Sequence, residues 1–167
     1  MKAKRKQHSI LLNTACLLLC VITLNAQTAD ARLDQPVLMK QMIGTWENRL
    51  SPDTSVIWEL KAYGHGLEAH YRFTAKGKTY REVKQLTGFD GKFEKFTTFT
   101  LFPNGKYIMF FGSFYKKNNM RVEVKDSADP GKILSQTEYE FKNADTFTVT
   151  RIFGPYGAKP GTFHRIQ

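Results

Sequence analysis

After residue 44, apolar and polar residues alternate one by one along most of the chain. Val56, Trp58, Leu60 and Ala62 share one face of a run whose other face carries Glu59 and Lys61. Leu67, Ala69, Tyr71 and Phe73 alternate with Glu68, His70, Arg72 and Thr74, and Met120, Val122 and Val124 with Arg121, Glu123 and Lys125. Phe147, Val149, Arg151 and Phe153 alternate with Thr146, Thr148 and Thr150. A period of two is the mark of a strand with one buried face. Between Tyr107 and Phe111 every residue is apolar, so alternation does not say which face of that strand points inward. After the N-terminal segment, helical spacing occurs once, from Pro36 to Ile43, and predicts a short helix or 3₁₀ turn before the first strand.

Turn residues divide these runs at regular intervals. Gly64-His65-Gly66, Lys76-Gly77, Asp90-Gly91, Asn104-Gly105, Asn118-Asn119, Asp129-Pro130-Gly131 and Asn143-Ala144-Asp145 recur roughly 12 to 14 residues apart, and a looser stretch from Gly154 to Gly161 ends the series. Gly, Asn and Asp suit these places because tight hairpin turns need positive φ. The pattern predicts about ten strands, at 44–50, 54–63, 66–75, 78–88, 93–102, 106–115, 120–126, 132–142, 146–153 and 162–166. Strands joined in order by tight hairpins make an antiparallel up-and-down meander. Closing it into a β-barrel of about 8–10 strands removes both free edges and leaves room for side chains plus one small ligand.

The N-terminal segment reads differently. Lys2, Lys4, Arg5 and Lys6 precede an apolar run from Ile10 to Leu24, which is short of the roughly 20 residues a membrane-spanning helix needs. This is the layout of a signal peptide at 1–26, cut after Ala26, with Ala29 and Ala31 as further candidates. The expected protein is therefore exported, periplasmic or extracellular, with no transmembrane segment in its mature chain. Residues 27–43 form an N-terminal segment with the short helix, and 44–167 the barrel domain. Lipidation is not expected: Cys20 follows the large Leu18-Leu19, and Cys16 comes too early in the apolar run. Both cysteines lie in the signal segment, so the mature chain offers neither a disulfide nor a thiolate.

Removing residues 1–26 takes four basic side chains and lowers the net charge from +10 to about +6. The remaining lysines are scattered over predicted turns rather than gathered on one face, which argues against nucleic-acid binding. No Gly-x-Ser-x-Gly, His-Glu-x-x-His, phosphate loop or dinucleotide fingerprint is present, so no catalytic residue is assigned. His65, His70 and His164 are too dispersed for a metal site, and none is assigned.

A short helix followed by Gly44-Thr45-Trp46 at the start of a hairpin meander resembles the lipocalins and their fatty-acid-binding relatives, the calycin superfamily, and among them the exported bacterial lipocalin-like domains of unknown function. The resemblance implies that Gly44 and Trp46 sit at the closed barrel base, with a basic residue stacked on the indole. Arg165 or Arg151 could fill that role; Arg165 is preferred because closure sets the last strand beside the first. The resemblance also implies an alternative in which His164 holds haem, as in some ten-stranded relatives. His164 alternates with Phe163 and Arg165, however, and faces out if they face in.

A carrier is the expected function: a non-enzymatic binding protein that buries a small apolar or amphipathic molecule against Trp58, Tyr71, Phe99, Met109 and Tyr139, with Arg151 available to an acidic head. Tyr80 is expected to point inward as well. Arg151 has a second reading, in which it pairs with Glu138 or Glu140 or stacks on Trp46, since a buried arginine is costly without a partner. The alternative function is a filled barrel that binds another envelope protein through exposed aromatics, Phe110 and Phe114 among them.

Overall fold

The computed structural model describes residues 32–166. The expected signal peptide and cleavage site, with Cys16 and Cys20, lie outside the described residues. Asp34 caps a short helix, α1 (Gln35–Met39), by accepting a hydrogen bond from the Val37 amide at 3.1 Å, and Pro36 occupies its first turn. A 3₁₀ turn (Lys40–Met42) then leads into β1 (Gly44–Ser51), β2 (Thr54–Tyr63), β3 (Gly66–Ala75), β4 (Lys78–Asp90) and β5 (Lys95–Leu101). The chain continues through β6 (Tyr107–Lys116), β7 (Asn119–Lys125), β8 (Ile133–Asn143), β9 (Thr146–Phe153) and β10 (Gly161–Arg165). Each strand pairs antiparallel with the next, and β10 returns to β1 through Trp46 opposite Arg165, so the sheet closes into a ten-stranded barrel.

The hairpin chemistry follows the turn residues. Lys76 and Gly77 both take positive φ, 50° and 72°, as a two-residue turn that matches strand twist demands. Pro103-Asn104-Gly105 makes a three-residue loop in which Gly105 at φ 79° closes the chain back from Phe102 to Lys106, whose carbonyl accepts from the Phe102 amide at 2.9 Å.

The base of the barrel is a clasp. Trp46 is fully buried and donates its indole N–H to the Met42 carbonyl at 2.8 Å. The Arg165 guanidinium lies 4.1 Å from the Trp46 ring centroid and donates to the carbonyls of Ile43 at 2.6 Å and Ala144 at 2.9 Å. Gln35 exchanges two hydrogen bonds with the backbone of Phe114, at 2.7 and 2.8 Å, and so fixes the helix to β6. Trp46, Phe147 and Phe163 fill the β1–β9–β10 side solidly, with Phe147 and Phe163 stacked at 4.9 Å.

Three inward assignments are corrected. Phe99 and Met109 point out of the barrel, 37% and 40% exposed, because the inward row of β5 runs through Phe96, Thr98 and Thr100 and that of β6 through Ile108, Phe110 and Phe114. Tyr80 is 62% exposed: the register shifts between Phe73 and Thr74, pairing them with Arg81 and Thr79, and Tyr80 is the extra residue of that bulge. By the same phase, Phe110 and Phe114 lie inside rather than on the surface. Outward positions carry Glu59, Lys61, Arg72, Arg121, Glu138 and Glu140, while the inward rows of β2 and β3 are apolar, the reverse of strands that face lipid. No helix among the described residues is long and apolar enough to cross a membrane.

Candidate functional site

The interior is not filled. A cavity of about 420 Å³ runs along β2–β7, between Met39 and Met42 at the base and the β9–β10 loop, residues 154–160, at the other end. Its volume falls within the range of small-molecule sites. β1 and β10 contribute nothing to its wall, β8 contributes Tyr139 and β9 contributes Arg151.

The loop closes over the cavity because its polar groups find partners in the barrel. The Lys159 amide donates to the Tyr71 hydroxyl at 3.1 Å, and the Ser135 hydroxyl lies 2.9 and 2.7 Å from the carbonyls of Phe153 and Tyr156. At Gly157, φ is +117° and an added Cβ would come within 2.4 Å of the Thr137 hydroxyl, so this crossing requires glycine.

Trp58, Tyr71, Tyr139 and Arg151 come together in the cavity wall, whereas Phe99 and Met109 lie outside it. The Trp58 ring sits 5.8 Å from Tyr71 and 6.1 Å from Tyr139. Burial pushes the Tyr71 phenol up to about 12 and the Tyr139 phenol up further, so both stay protonated at neutral pH.

Arg151 has none of the partners weighed for it. Glu138 pairs with Arg121 at 2.8 Å, Glu140 with Lys142 at 2.7 Å, and Trp46 is covered by Arg165. The Arg151 Nε is buried without any hydrogen-bond partner, and one terminal nitrogen reaches the Ala158 carbonyl at a long 3.5 Å. Two further cations line the cavity, Lys159 and Arg81, the latter 5.3 Å from the rings of both Phe73 and Phe102. Among the described residues no Asp or Glu lines it, so every charged side chain in its lining is a cation.

Alternation gave no reason to single out the opposite wall, where polar residues interrupt the inward rows of β4 and β5. Trp58 donates its indole N–H to Gln85 Oε1 at 3.0 Å, Gln85 Nε2 donates to Thr100 Oγ1 at 3.0 Å, and the hydroxyls of Thr87 and Thr98 meet at 2.8 Å.

The histidines stand apart from this site. His70 Nδ1 lies 3.0 Å from Glu82 on the outer wall, His65 is exposed in its turn, and His164 is exposed opposite Glu47, where it offers no ligand to a group in the cavity. Among the described residues no three His, Cys, Asp or Glu side chains cluster to hold a metal ion. Outside the barrel, Leu86, Phe99 and Met109 stand side by side across β4, β5 and β6, with Leu101 and Tyr107 in the neighbouring row. Compared with known proteins, the chain matches no family model, no curated protein and no solved structure.

Proposed function

We propose that the protein is an exported, lipocalin-like carrier that holds a small amphipathic ligand in the barrel, with the ligand's acidic head against Arg151. The observation that carries this reading is a buried guanidinium Nε with no partner, in the wall of a cavity of about 420 Å³ that has cations and no carboxylate. A ligand carboxylate would complete that guanidinium with a charge-assisted bond, while Trp58, Tyr71 and Tyr139 pack against the apolar body. The short helix, Gly44-Thr45-Trp46 and the Arg165 stack at the base support the lipocalin-like reading; the N-terminal segment supports export.

Native mass spectrometry of the protein purified gently from its host tests the proposal. An added mass that disappears on denaturation, and proves to be an amphipathic acid, is the expected result. A bare protein mass that stays bare on addition of such acids would sink it.

A second reading is favoured by one observation, the apolar row of Leu86, Phe99 and Met109 on the outer wall. These residues, with Tyr107, are where another envelope protein would dock, in place of the inward-facing Phe110 and Phe114.

A further inference from the structure

The polar strip across the cavity from Arg151 has a direction. An indole N–H can only donate, so the Gln85 atom that it meets at 3.0 Å is the carbonyl oxygen, and the Gln85 amide nitrogen is thereby turned to Thr100. Gln85 Nε2 donates to Thr100, which leaves its second hydrogen and the Thr100 hydroxyl hydrogen without an acceptor among the described residues. Thr87 and Thr98 share one hydrogen across 2.8 Å, and whichever donates, the hydrogen of the other hydroxyl is left over. All of these residues line the cavity, and no carboxylate lines it to take the spare hydrogens. A hydrocarbon segment laid on this wall would strip water from three donors and return nothing.

The strip also has a defined place. Around the closed ring β9 lies opposite β4 and β5, so Gln85, Thr87, Thr98 and Thr100 face the wall that carries Arg151. We infer that the ligand bears two separate oxygen functions: the acidic head at Arg151, and an uncharged acceptor along its body that meets the Gln85–Thr100 strip. The ligand class is then an oxygenated acyl or terpenoid acid, with a ketone, ester or ether oxygen at mid-length, rather than a plain fatty acid. This rests on the carrier reading above and adds to it the chemistry of the ligand's middle.

Calorimetric titration of the purified protein with stearate and with its oxo derivatives, carbonyl at successive mid-chain carbons, tests the inference. At least one oxo acid is expected to bind roughly five- to tenfold more tightly than stearate, the worth of one net hydrogen bond. Of the substitutions Gln85→Met, Thr87→Val, Thr98→Val and Thr100→Val, at least one should bring that ratio close to one; where it is a threonine, the serine variant, which keeps the hydroxyl, should preserve it. Equal binding of stearate and every oxo acid by the unaltered protein overturns the inference and leaves the carrier reading standing. So does a preference that survives every one of those four substitutions. Binding of none of these acids overturns both.

Discussion

The Arg151 Nε is buried without a partner, and the Ala158 carbonyl at 3.5 Å is a weak contact for the rest of the guanidinium. A buried donor left unsatisfied costs about 1–3 kcal/mol, and more when it is charged. This side chain, then, works against stability. Arg151→Met keeps most of the volume and removes the stranded donor, so it should raise the unfolding free energy by about 1 kcal/mol in urea titrations. The same substitution should weaken a fatty acid by tenfold or more, since charge-assisted bonds are worth about twice neutral ones, and spare the corresponding alcohol. Equal loss of acid and alcohol would mean that the arginine shapes the cavity rather than reading the head group.

Among the elements, the β9–β10 loop lines one end of the cavity, and Tyr71 holds it. The Tyr71 phenol is pushed up to about 12 by burial, from an ordinary value of 10.0. A raised phenol favours the protonated, folded state, so its contribution is fully present below pH 10 and is lost as pH rises toward 12. At about 1.4 kcal/mol per unit this is on the order of 3 kcal/mol, to which Tyr139 adds in the same direction. Urea midpoints should therefore fall between about pH 9 and about pH 11.5, less steeply in Tyr71→Phe. That variant should also speed hydrogen exchange at the Lys159 amide, which loses the Tyr71 acceptor; unchanged exchange would show that the loop is held by other contacts.

The elements themselves were legible because turn residues and alternation agree at nearly every hairpin. The phase of β5 and β6 was not, because Phe96, Phe99 and Phe102 are three apart and a two-residue repeat sends Phe99 opposite to its neighbours, where it stays half exposed. Tyr80 was lost to a bulge, which shifts the phase without altering composition. Trp58 and Tyr71 lie on strands with one clean apolar face, Tyr139 and Arg151 stand beside Phe141 and Val149 in their rows, and there alternation was enough to put them inside. Gln85 and its threonines carry no mark in sequence, since a polar residue inside a barrel becomes meaningful only when the partner across the strand is known.

For the whole molecule, the barrel divides lengthwise into a filled side and an open one. The β1–β9–β10 side is packed by Trp46, Phe147 and Phe163 and sealed at the base by Arg165, while the cavity draws nothing from β1 or β10. If that division is physical, the two arginines should have opposite signatures. Arg165→Met removes a cation–π contact of about 0.5–2 kcal/mol and charged hydrogen bonds to the Ile43 and Ala144 carbonyls. It should destabilise the fold by about 2–4 kcal/mol, yet leave ligand affinity unchanged well below its melting temperature. Arg151→Met should do the reverse, gaining stability and losing acid affinity. The residues share no partner, so the double variant should show the sum of the two stability changes within about 0.5 kcal/mol and the affinity of Arg151→Met alone. A fall in affinity on Arg165→Met would mean that the base clasp sets the cavity's shape, and the lengthwise division would fail with it.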